Sequence, residues 1–135
     1  MYRATIAIDN VLPSQAVSLQ SEMNVRELIE SVFVQLQTAK NPDPFKFVID
    51  YFGYDHYGGV TSYLGYGIAS INQFVSDDND YWDLFINGNP STVGMDSYLV
   101  QPNDRIELKW TAVATASSSA GARMQQIAAR RATGP

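Results

Sequence analysis

Few side chains in this sequence are equipped to make or break bonds. The one histidine, His56, lies between Asp55 and Tyr57, and a flanking carboxylate can orient an imidazole as a general base. A base needs a partner nucleophile, and none is offered. The chain has no cysteine, and Ser62 and Ser70 lack the Gly-x-Ser-x-Gly setting that presents a serine hydroxyl on a tight turn. His56 therefore reads as a surface loop residue. The acidic run Asp77-Asp78-Asn79-Asp80 has the opening of a calcium loop. Such a loop needs glycine at its sixth position and a bidentate acid at its twelfth, where this chain has Trp82 and Gly88, so a solvated turn is expected. Gly53, Gly58, Gly59, Gly65 and Gly67 fall between expected strands rather than between a strand and a helix, which leaves no phosphate-cradling loop. Neither a catalytic residue nor a metal or other cofactor is expected.

What the sequence does supply is contact area. Residues 45–66 hold Phe45, Phe47, Tyr51, Phe52, Tyr54, Tyr57, Tyr63 and Tyr66, half of the sixteen aromatics. Tyrosine combines a large, stiff ring with a polar tip, the chemistry of binding surfaces. The phenylalanines are expected in the core. Tyr54, Tyr57, Tyr63 and Tyr66 are candidates for a partner-binding surface, and Trp82 and Trp110 fall at inward strand positions.

Ala4, Ile6 and Ile8 alternate with Arg3, Thr5 and Ala7, which predicts a strand over Tyr2–Asp9. Val17 and Leu19 alternate again after the Leu12-Pro13-Ser14 turn, giving a hairpin. Val25, Leu28, Ile29, Val32, Phe33, Leu36 and Ala39 keep the spacing of one buried helical face over about 25–40. Asn24 and Glu27 form a capping box at its start, and Asn41-Pro42-Asp43-Pro44 stops it. Strands then follow: 45–52, apolar on both faces and so expected to be central; 66–74; 81–86; 98–100; and 105–112. A Gly- and Tyr-rich loop over 54–63 and tight turns at Asn87-Gly88 and 101–104 separate them. The expected class is α+β: a mixed or antiparallel sheet packed on one helix, β-grasp-like, with a C-terminal tail helix.

At 135 residues with 45% hydrophobic and 17% charged side chains, the chain has material for one folded domain. No apolar run is long enough to span a bilayer, and no export signal is visible, so a cytoplasmic or virion location and no membrane partner are expected. The net charge of −5 argues against nucleic acid. The charge is unevenly spread. Residues 1–113 carry six Lys/Arg against fourteen Asp/Glu, whereas 114–135 carry Arg123, Arg130 and Arg131 and no acid. Domain 1–113 is thus −8, and the Ala/Ser/Gly linker with its basic tail, 114–135, is +3. Met124 and Ile127 sit at helical spacing beside those arginines, and a helix this short needs a surface to lie against.

The stretches Tyr63–Asn72, Tyr81–Pro90, Val93-Gly94, Tyr98 and Gln101–Glu107 together resemble the DUF4430 domain of unknown function, related to the C-terminal domain of transcobalamin and intrinsic factor. In that family a strand ending in I-x-x-I-N-G leads to Y-W-x-x-Y-V-N-G-x-P and then to a hairpin carrying G-D-x-I. The resemblance spans about residues 3–112. Gln73 and Asn103 replace two turn glycines of the pattern. The resemblance implies the β-grasp fold and, as one alternative, corrinoid (cobalamin) binding through Tyr63, Tyr66, Trp82 and Asn87. The helical barrel that completes the transcobalamin site is missing from this sequence, so that ligand is not simply inherited.

The favoured expectation is a non-enzymatic interaction subunit of a larger assembly, homo-oligomeric or mixed, such as a virion decoration or head–tail accessory protein. It would dock through its Tyr-rich loops and through a tail carrying Arg123, Met124, Ile127, Arg130 and Arg131.

Overall fold

The computed structural model describes residues 2–19, 22–55, 61–77 and 79–112. Its elements run β1 (Tyr2–Ile8), β2 (Leu12–Leu19), α1 (Val25–Leu36), β3 (Phe47–Asp55), β4 (Ser62–Ile71), β5 (Phe74–Val75), β6 (Asp80–Ile86), β7 (Asn89–Pro90) and β8 (Arg105–Ala112). This is a mixed α+β domain, mostly sheet. Among the described residues no helix is long and apolar enough to cross a membrane. The expected tail helix, with Arg123, Met124, Ile127, Arg130 and Arg131, lies outside the described residues, as do His56 and Tyr57.

The helix starts where its cap dictates. Asn24 stays extended, its side chain accepts from the Glu27 amide at 2.8 Å, and the Glu27 carboxylate accepts the Asn24 amide in return at 3.0 Å. It ends four residues earlier than its apolar spacing predicts. Gln37 is already extended, and the Thr38 and Asn41 backbones bond each other in a closed turn that the Thr38 hydroxyl reinforces. Ala39 is consequently exposed instead of buried.

One side of α1, with Val25, Leu28, Ile29 and Val32, packs on a five-stranded sheet of order β2-β1-β8-β6-β7. Ala4, Ile6 and Ile8 of β1, Val17 of β2, Ile106 and Leu108 of β8 and Trp82 of β6 meet it. β1 and β8 are adjacent and parallel, pairing Thr5 with Arg105 through Ile8 with Leu108, while β6 runs antiparallel to β8. Pro13 is tolerated because β2 is an edge strand. Residues 98–100 form no strand beyond one bridge between Asn24 and Leu99.

A second sheet, β3-β4-β5, corrects the expectation of a single one. β3 is an edge strand, not a central one. Its apolar outer positions are exposed, Val48 among them, and only Phe47 and Ile49 turn toward the core. Phe45 is buried and meets Phe33 edge-on and Phe47 at a tilt, which ties this sheet to the helix. Phe74 of β5 contacts Trp82 and Trp110, joining the two sheets.

Candidate functional site: a tyrosine ladder

The segment expected to be a loop over 54–63 begins and ends inside strands, with Tyr54 on β3 and Tyr63 on β4. Tyr51 and Tyr54 are three residues apart, and so are Tyr63 and Tyr66. In regular strands each pair would point to opposite faces. Two bulges cancel this. Tyr51 pairs with Tyr66, Gly53 with Gly65, and Tyr54 with Tyr63, so Phe52 is the extra residue on β3 and Leu64 the extra residue on β4. Gly53 at φ +65° and Gly65 at φ +68° supply the left-handed backbone that the two bulges use. The displaced Phe52 packs its ring against Gly67, where a Cβ would sit 2.6 Å from it.

All four tyrosines therefore share one face in a run of ring contacts. Tyr54 to Tyr63 is 5.0 Å between centroids, Tyr63 to Tyr51 6.2 Å, and Tyr51 to Tyr66 4.9 Å, with the rings tilted by 48–57°. The outer end of the run is the more exposed. Tyr54 is 65% and Tyr51 55% exposed, Tyr63 is 36% exposed, and Tyr66 packs against the core. At the inner end the Arg26 guanidinium lies 5.6 Å from the Tyr66 centroid and pairs with Glu30 at 3.2 Å.

Asp96 anchors the ladder from below. Its Oδ2 accepts from the Tyr63 hydroxyl at 2.8 Å and its Oδ1 from the Tyr66 amide at 2.9 Å. The carboxylate's hydrogen bond raises the Tyr63 phenol well above its usual range, assisted by desolvation and by the negative charge itself. The Asp96 segment is held in turn by the Met95 amide on the Tyr66 carbonyl and the Arg26 amide on the Met95 carbonyl. The helix start, the ladder and this connection form one fixed unit.

The remaining sequence candidates lie elsewhere. Trp82 is buried, tilted against Trp110 at 5.1 Å, and donates its indole N–H to the Phe74 carbonyl at 2.8 Å. Asn87, at φ +53°, donates to Asp104 at 2.9 Å and accepts from the Arg105 amide at 2.8 Å. Asp104 also accepts from the Tyr98 hydroxyl at 2.5 Å and the Gln101 amide at 2.8 Å. Burial works to raise the Asp104 carboxyl, but these three donors outweigh it and hold it below its usual value. Burial and the same Asp104 contact push the Tyr98 phenol up to about 12. Of the four residues in the corrinoid alternative, only Tyr63 and Tyr66 belong to the ladder. Tyr51, Asp96 and Arg26 join this surface only through the register of β3 on β4 and the fold of the 93–98 connection, which local sequence pattern does not reveal.

Three of the four ladder tyrosines, the Asn87-Gly88 turn and the final strand lie within one continuous stretch of the chain, from the β3 bulge to the end of β8. Residues 52–112 match the family model DUF4430, a domain of unknown function. The DUF4430 match thus begins at the β3 bulge and runs to the last residue of β8. No curated protein matches the chain. Among solved structures it is similar to a "putative metal binding protein" from Ruminococcus gnavus ATCC 29149, with a TM-score of 0.54 and 14% identity over 83% of this chain and 98% of that one. That likeness concerns the fold. Among the described residues no three His, Cys, Asp or Glu side chains gather where they could hold a metal ion.

Proposed function

We propose that this chain is a non-enzymatic interaction module, which contacts a protein partner through the ladder Tyr54-Tyr63-Tyr51-Tyr66. The observation that carries the reading is the pair of opposed bulges, which sets four tyrosines on one face at the edge of a sheet. Exposed aromatic rings held rigid before binding lose little conformational entropy on contact, and tyrosine is enriched at the centres of interfaces. The edge strand β3 beside them is interrupted by bulges, which disfavours simple strand addition and favours side-chain contact. We read the five-stranded sheet as a β-grasp sheet, on the support of its central parallel β1–β8 pair and the helix laid across one face.

The test is position-specific photo-crosslinking in the protein's own host. A benzophenone side chain at Tyr54 is expected to give a discrete adduct, and the same probe at exposed Thr38 none. No adduct from Tyr54, or the same adducts from both positions, overturns the reading.

The corrinoid reading has weaker support, because Trp82 is buried and Asn87 is occupied by Asp104 and Arg105. Its check is simple: cobalamin at about 100 μM, enough to reveal binding worth about 5 kcal/mol, should leave the cobalamin visible spectrum and the protein's tryptophan fluorescence unchanged. The metal-binding description of the Ruminococcus gnavus protein finds no matching cluster among the described residues and is not carried over. A virion setting has only composition behind it and adds nothing to the module reading.

A further inference from the structure

Strand β6 alternates between two environments. Trp82, Leu84 and Ile86 face α1 and join or pack on the core, so Tyr81, Asp83 and Phe85 face the other side of the five-stranded sheet. Yet Tyr81 is 2% and Asp83 4% exposed, with the Tyr81 hydroxyl 3.3 Å from Asp83 Oδ2. Tyr81 does not belong to the core cluster, to which α1 and the three-stranded sheet contribute from the opposite face. A phenol and a carboxylate do not lose their water on a bare sheet, so this second face carries a cover. On β8 the same face presents Glu107, Lys109 and Thr111, all half-buried, with the Lys109 ammonium 4.5 Å from the Phe85 ring centroid.

Where the chain goes next identifies the cover. β8 ends at Ala112, paired with Asp80, beside the Tyr81–Thr111 pair, so the chain leaves at the rim of this face. Twenty-three residues follow, beginning with an Ala/Ser/Gly stretch able to reverse direction. Nine residues from 123 to 131, if helical, span about 13 Å, the same as the strand from Tyr81 to Phe85 at about 3.3 Å per residue. Met124 and Ile127 are the large apolar side chains of that segment that would lie against Tyr81 and Phe85.

We propose that the face of the five-stranded sheet turned away from α1 is a docking surface for residues 114–135 of the same chain. The basic segment then closes the domain as its second covering layer instead of tethering it to a neighbouring subunit. The inference is independent of the tyrosine ladder.

Because the chain has no cysteine, introduced pairs report without background. In the full chain, Lys109→Cys combined in turn with Met124→Cys and with Ile127→Cys is expected to form an intrachain disulfide under mild oxidation, in a species of monomer mass. The control pair, Lys40→Cys with Ile127→Cys, is expected to stay reduced. A disulfide-linked dimer would assign the face to a second copy and overturn the proposal, as would equal oxidation of the control. Hydrogen exchange of the unmodified chain gives a second reading: peptides over 120–131 should exchange more than tenfold slower than an unstructured segment, and exchange at the unstructured rate overturns the proposal.

Discussion

The Tyr63 hydroxyl donates to Asp96 Oδ2 at 2.8 Å while the other oxygen of that carboxylate takes the Tyr66 amide, so one acid fixes two neighbours of the ladder. The folded chain therefore binds the Tyr63 proton more tightly than the unfolded chain does, since ionisation would place two anions in contact. The stabilisation is fully present below the unfolded tyrosine value of 10.0 and is lost as pH rises beyond it. Spectrophotometric titration near 295 nm on wild type and Tyr63→Phe should give the same phenolate signal up to about pH 11. A signal smaller by one tyrosine in the variant would contradict the Tyr63–Asp96 bond.

A second acid, Asp104, does the same for the last hairpin. Asn87→Ala removes one of its three donors, leaves the Arg105 amide without its acceptor, and puts a Cβ-bearing residue with no compensating polar contact at φ +53°. A cost of about 1–3 kcal/mol is expected in urea unfolding, from a lost part-buried hydrogen bond to a carboxylate plus the left-handed backbone. Because Asp104 is held below its usual 3.8, its contribution is present above that value and fades as pH falls through the folded value. The destabilisation by Asn87→Ala should accordingly shrink in acid; a penalty independent of pH down to 2 would remove Asp104 from the account.

How much of this was readable beforehand follows from what each signal depends on. The capping box at Asn24 and Glu27 is local chemistry, and the structure reproduces it bond for bond. So is the alternation of β1 and β8, which settles what faces the helix but not which strands are neighbours. The split into two sheets was hidden because the apolar character of both faces of β3 comes from exposed residues such as Val48 rather than from a central position. The ladder was hidden for a sharper reason. Tyr51 with Tyr54 and Tyr63 with Tyr66 have the wrong parity for one face, and only the paired bulges correct it, a property of register between strands. The two departures from the family's turn glycines are explained by asparagine. Asn103 adopts φ +72° itself, and Asn72, at φ +52°, takes the left-handed position before Gln73 and accepts the Lys46 amide.

Tyr51→Ala and Tyr54→Ala separate contact from stability. Both rings are mostly exposed and meet mainly other tyrosines, so each substitution should cost less than about 1.5 kcal/mol, the range of one aromatic pair, in thermal or urea unfolding. In the crosslinking experiment, with the probe moved to Tyr63, the double variant should lose most of the adduct while remaining folded. An adduct undiminished in that variant would show that the exposed rings do not contribute to docking.

The two bulge glycines make the most discriminating pair. Gly53 and Gly65 share nearly the same left-handed backbone, so alanine pays a similar conformational cost at either, on the order of 1–2 kcal/mol. Their surroundings differ. A Cβ at Gly53 meets only the Tyr51 ring at 3.6 Å, ordinary van der Waals contact. At Gly65 it would overlap the Asp96 carboxylate and approach the Tyr63 ring to 3.1 Å. Gly65→Ala must then displace the acid that anchors the ladder, losing the Tyr63 hydroxyl bond and the part-buried Tyr66 amide bond, the latter worth about 1.5–3 kcal/mol. Gly65→Ala should therefore be the more destabilising by at least about 2 kcal/mol, and it should also lower the Tyr63 phenol toward its ordinary range. Equal losses from the two substitutions would mean that Asp96 does not hold the two strands in the register that brings the tyrosines together.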